Sequence, residues 1–139
     1  MNWMVYALLS ALAAGATAVL AKIGVRDVSA NLATAIRTIV IVMFAWGIVL
    51  ARGEAEGLRA LSSRTWVFLV LSGIATGLSW LAYFKALQLA PASQVAPIDK
   101  LSLPLTLMLA WLVLGEPISW RLGLGATLMV IGAMITIKA

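Results

Sequence analysis

Five stretches, each close to the ~20 apolar residues needed to cross a bilayer, occupy most of this chain. They fall at 3–22, 32–51, 66–89, 95–114 and 120–137. In hydrocarbon the backbone must satisfy its own hydrogen bonds, so each stretch is expected to be a helix. The composition agrees: 63 % of residues are hydrophobic and 11 % charged, where a soluble domain carries about 25 % charged residues. The mean hydropathy is +1.07. The sequence therefore predicts an all-α membrane protein, with five transmembrane helices forming one domain over 1–139. The first span is read as a lasting span and not a cleaved leader, because MNWMVYALLS has no basic start, although ALAAGATA imitates a cleavage site. The longest connection is ARGEAEGLRALSSRT, 51–65.

The formal charge is +5, but the basic residues are scattered over span ends and short loops. That pattern fits topology determinants and lipid-headgroup contacts, and nucleic acid is not an expected partner. Cysteine and histidine are both absent. Disulfides, Cys/His metal sites, thiol nucleophiles and histidine acid/base chemistry are thereby excluded, and no metal or cofactor is expected. With only five acidic residues, an enzyme would have no catalytic constellation beyond Asp99.

Five spans put the two ends of the chain on opposite sides of the membrane. The N-terminal side then holds Arg52, Arg59, Arg64 and Arg121, and the other side holds Lys22, Arg26 and Lys138. Lys85 and Lys100 join the second group if they snorkel outward. The count that normally fixes orientation is nearly balanced. Either the count is uninformative, or the chain inserts both ways round and pairs into an antiparallel ten-helix dimer, an inverted-repeat design.

Side chains at i, i+4, i+7 and i+11 share one helix face. Ser72, Thr76, Ser79 and Tyr83 form such a stripe on the third span, and Trp3, Tyr6, Ser10 and Thr17 on the first. Asn31, Thr34 and Thr38 align on the second with Arg37 at the edge, and Asp99, Ser102 and Thr106 on the fourth. A single stripe is explained by hydroxyls bonding their own helix or a neighbour. Four together point to a shared polar cavity. The fifth span has none, and instead repeats Gly125/Ala126 and Gly132/Ala133 at heptad spacing. Small residues let helices approach closely, so this face is the candidate dimer contact, with Gly73 and Gly77 a weaker packing signal.

Arg37 and Asp99 each lie about six residues, or roughly 9 Å, into their spans from the same side. A charge at bilayer depth costs at least ~2.5 kcal/mol, so pairing is expected. Asp99 with Arg37 or with Lys85 would serve packing alone; the other reading is that Asp99, Lys100 and Arg37 bind substrate or a coupling ion. Pro97 and Pro104 bracket Asp99–Ser102 and predict a kinked helix with freed carbonyls beside the charge. Ser93 is the expected N-cap of this span.

The segment YFKALQLAPASQVAPIDKLSLPLTLMLAWLVLGEPISWRLGLGATLMVIGAMI resembles the C-terminal half of an EamA-type repeat of the drug/metabolite transporter superfamily. The resemblance rests on A-S-x-V-A-P-I-D-K-L-S, a mid-helix proline, L-G-E-P and a glycine-rich last span. AKIGVRDVSANLATAIRT is similar to the first half of the repeat. Most members carry two inverted repeats, and this chain resembles the small five-span bacterial and archaeal branch. The resemblance implies a dimer in the cytoplasmic membrane that moves small metabolites or drugs, and it leaves the substrate open. It makes Glu116 a cap or loop contact. A secondary transporter is thus the leading expectation, and a non-transporting subunit that assembles with another five-span chain is the alternative.

Overall fold

Polar side chains decide where most of the helices begin. The computed structural model describes residues 2–137, so the expectation placed on Lys138 lies outside the described residues. Helix α1 (Trp3–Gly24) follows Asn2, whose Oδ1 accepts from the Met4 N–H at 3.5 Å. Helix α2 (Ala30–Ala51) is capped by Ser29, whose hydroxyl accepts from the Leu32 N–H at 3.2 Å. A 3₁₀ turn (Glu54–Ala60) leads to α3 (Ser63–Leu89), where the Ser62 hydroxyl accepts from Thr65 at 3.1 Å. Each cap satisfies an amide that would otherwise lack a partner at the helix end. The fourth span has no such device. It opens at Pro91 without a side-chain cap and is divided into α4 (Ala92–Asp99), α5 (Ser102–Leu109) and a closing π turn (Ala110–Leu114). Helix α6 (Trp120–Ile137) starts after Ser119, which accepts from Leu122 at 3.3 Å.

With α4, α5 and the π turn taken as one span, five helical stretches are long and apolar enough to cross a membrane. The described residues contain no strand. The second, third and fourth spans begin at 30, 63 and 92, upstream of the 32, 66 and 95 read from hydropathy, because the capping Ser29 and Ser62, and the uncapped Pro91, precede the first strongly apolar residues. Ser93, the expected cap, sits inside the first turn of α4.

The interruption has a local cause. Pro104 has no N–H, so the Lys100 carbonyl loses its i+4 donor, and the proline ring crowds that same carbonyl. The Leu103 N–H bonds it instead at 3.0 Å, one residue earlier than an α-helix would. Leu101 likewise bonds Ile98 at 3.0 Å. Two tight turns in succession stop α4 at Asp99 and restart the helix at Ser102. At the far end Gly115 adopts a left-handed conformation (φ 68°), and the Glu116 N–H returns to the Ala110 carbonyl at 3.2 Å. A side chain there would be strained, which is why glycine follows the last apolar residue.

The chain forms two compact units, one of residues up to Leu20 with those from Leu89 onward, the other Ala21–Gln88. In the first, α6 packs on α4 and α5, and Ala18, Val95 and Ala133 are buried. In the second, Val25, Ala30, Thr34, Phe84 and Leu87 are buried. The Gln88 amide donates to the Val28 carbonyl at 2.6 Å, and Lys22 Nζ donates to the Leu87 carbonyl, so side chains close the end of this unit where three chain segments meet. Large apolar side chains are exposed along every span, Trp3 at 75 % and Val113 at 74 % among them. Helices apolar on all sides suit a lipid solvent and not water.

Candidate functional site

Within Ala21–Gln88 the sequence brings one charge into the span. Arg37 projects from α2 toward α3, with its guanidinium carbon 4.1 Å from the Trp80 ring centre and 5.5 Å from that of Phe84. Trp80, Phe84 and Gln88 follow one another at four-residue spacing and so share a face of α3. The aromatic faces carry negative potential, which is what a half-buried cation needs. No carboxylate of this unit pairs with Arg37 among the described residues; Glu54 pairs with Arg52 at 3.8 Å instead. Lys85 is exposed.

The hydroxyl stripes take a specific form. Thr34 donates to the Ala30 carbonyl, Thr38 to Thr34 and Thr76 to Ser72, at 2.8, 2.8 and 2.9 Å. Each threonine hydrogen is thus committed to its own helix, and only the oxygen lone pairs remain for another group. Ser72, Thr76 and Ser79 are exposed while Tyr83 is half-buried, so the stripe lies off the packed face of α3. Gly73 and Gly77 have no heavy atom within 4 Å of an added Cβ.

In the other unit the charges meet at the helix break. Lys100 Nζ lies 3.3 Å from Asp99 Oδ2. On a continuous helix adjacent residues diverge by about 100°; here α4 ends at Asp99, and Lys100 is its C-cap. Asp99 thus pairs with its sequence neighbour. Ser102 and Thr106 are exposed on α5, and Thr106 donates to the Ser102 carbonyl at 2.8 Å. Ser10 is exposed and Thr17 half-buried on α1. Pro97 lies inside α4, and Pro104 in the first turn of α5. On α6, Ala133 is buried, Gly125 and Ala126 are half-buried, and Gly132 is exposed. An added Cβ at Gly125 or Gly132 meets nothing within 4 Å, so neither glycine is required by contacts inside the chain.

Sequence reasoning missed Trp80, Phe84 and Gln88. The available signal was their i, i+4, i+8 spacing, together with a tryptophan far from either end of its helix.

A model of the EamA-like transporter family matches residues 1–138. An uncharacterized transporter in the cobO 3' region of Sinorhizobium sp is 46 % identical over 134 residues, covering 96 % of this chain and 95 % of that protein. The riboflavin transporter of Vibrio cholerae serotype O1 is 42 % identical over 72 residues, 51 % of this chain and 24 % of that longer protein. No solved structure matches the chain.

Proposed function

This chain belongs to the EamA-like transporter family, and from that premise we propose that it is a secondary transporter moving a small metabolite or drug across the cytoplasmic membrane. The observation that carries this reading is the full-length similarity to a transporter of matching size. As a multi-pass membrane protein it works, on this reading, as a homodimer whose two copies supply the inverted halves of a ten-helix transporter. The near-balance of basic residues favours antiparallel copies.

Alternating access would operate at the polar faces. Span four, interrupted at Lys100–Leu101, supplies a hinge beside the Asp99–Lys100 pair, and binding groups are often placed in such interrupted helices. Asp99 exchanges partners during the cycle. Arg37, Ser72, Thr76, Ser79 and Tyr83 are the solute-facing groups of one unit and Ser102, Thr106, Ser10 and Thr17 those of the other, while Gly125 and Gly132 receive the partner helix. Riboflavin, named for one relative, is the first solute to try.

The test is flux by the purified chain in liposomes that contain no other protein, with riboflavin first and then a panel of acidic, neutral and basic metabolites. Saturable exchange by this chain alone supports the reading. Flux only after another five-span chain is added would favour the alternative of a subunit with an obligate partner. Orientation is read with a single cysteine at Ala60, in the 3₁₀ turn, because Ser62 caps α3. Labelling of about half of the molecules from outside the cell is the antiparallel expectation; uniform labelling rejects it.

A further inference from the structure

We propose that Arg37, seated on Trp80, binds the oxyanion of the transported solute, a carboxylate or a phosphate. The inference rests on the transporter reading and adds a substrate class to it.

Arg37 lies seven residues after the first residue of α2, about 10 Å along the helix. A guanidinium at that depth needs compensation. In its own unit it receives the aromatic faces of Trp80 and Phe84, at 4.1 and 5.5 Å, and an electrostatic interaction with Tyr83. A cation–π contact uses the flat face of the guanidinium, whereas its five N–H donors point outward in the plane. Among the described residues none of those donors forms a hydrogen bond within the unit. The side chain is therefore held in position with its fork free of hydrogen bonds within the unit, and an oxyanion that presents two oxygens is the group that fits such a fork two bonds at a time. The neighbouring threonines cannot substitute, since Thr34 and Thr38 both donate their hydrogens to backbone carbonyls.

Trp80 is placed for this role and not for the membrane surface. In the same unit Trp46 lies five residues before the end of α2 and Trp66 three residues after the start of α3, the depths that suit an interfacial indole. Trp80 lies nine residues before the end of α3, away from both headgroup layers. Its partner there is Arg37.

An oxyanion could also come from a lipid headgroup, so the experiment separates the two sources. Five of the six tryptophans are replaced (W3F, W46F, W66F, W111F and W120F), leaving Trp80 as the reporter beside Arg37. Inorganic phosphate, acetate and mannitol are titrated against its fluorescence in neutral detergent. The expected result is a saturable change with phosphate or acetate and none with mannitol. R37Q should weaken apparent affinity about tenfold or more, the loss expected for charge-assisted hydrogen bonds, and R37K should fall between. If the five-fold variant does not fold, the same titrations are read as phosphate-induced thermal stabilisation of the native chain and of R37Q. A response to phosphatidylglycerol nanodiscs with none to phosphate or acetate assigns Arg37 to headgroups and overturns the proposal. Liposome flux keeps the two readings apart. Flux with an anion-blind Trp80 overturns the oxyanion site and leaves the transporter standing. An anion-responsive Trp80 without flux of any solute keeps the site and removes the transport reading beneath it.

Discussion

The two units hold charge in an apolar span in opposite ways. In Ala21–Gln88 both helices that flank Arg37 are unbroken, and the cation rests on the faces of Trp80 and Phe84. In the other unit the helix itself gives way, and Asp99 and Lys100 neutralise each other across the break. Aromatic faces leave the net charge and the hydrogen-bond donors of Arg37 in place. An ion pair cancels the charge of both partners. The first arrangement suits a group that recruits a ligand, and the second suits one that must change state as the protein moves.

Substitutions can break this contrast. The largest effect is expected from Asp99→Asn, which leaves Lys100 without its counter-charge at the hinge: coupled uptake in liposomes should fall at least about tenfold, the loss of one charged partner, while the folded protein keeps its elution volume. Unchanged uptake would reduce Asp99–Lys100 to a packing pair. Pro104→Ala comes next. It returns an i+4 donor to the Lys100 carbonyl, so α4 and α5 should run together, slowing transport severalfold and increasing amide-exchange protection between 100 and 104. If protection there is unaltered, the proline is not what interrupts the helix. Trp80→Leu should lower stability by about 2 kcal/mol, the value of a desolvated cation–π contact, with Trp46→Leu changing it less; equal losses in thermal unfolding would erase the distinction between Trp80 and an interfacial tryptophan. The smallest effect is that of Gly115→Ala, about 1 kcal/mol for a side chain in the left-handed region. A neutral result in the same assay would mean that the end of span four relaxes freely.

The parts of the molecule that were readable from its letters are those set by sums and by chemistry. Hydropathy accumulated over some 20 residues identifies five spans, whereas the exact start of a helix hangs on one capping hydroxyl. That is why the second and third spans begin just after Ser29 and Ser62 and not at the first leucine or tryptophan. Arg37 and Asp99 were visible because charges are rare in such company. The aromatic partners of Arg37 were not. Arg37, Lys85 and Lys100 were all open as partners of Asp99; Pro104 breaks its helix just beyond it, and Lys100 comes within 3.3 Å. Trp80 was hidden among aromatic residues that hydropathy treats as ordinary span content; only its relation to a side chain on α2 gives it a meaning. The hydroxyl stripes were legible as patterns, but the direction of each threonine hydrogen depends on backbone geometry that no spacing rule contains.

The broken fourth span also carries a consequence for biogenesis. Helix α4 has eight residues, about 12 Å of rise, and α5 with its π turn adds about 20 Å. Neither piece alone reaches across the ~30 Å of hydrocarbon. The insertion machinery must therefore accept Ala92–Leu114 as one continuous passenger. Its uncapped start at Pro91 and its embedded charges make it the span that depends most on company already in the bilayer. Synthesis order supplies that company: three completed helices precede it, and α6, which packs on both of its pieces, emerges next to hold them.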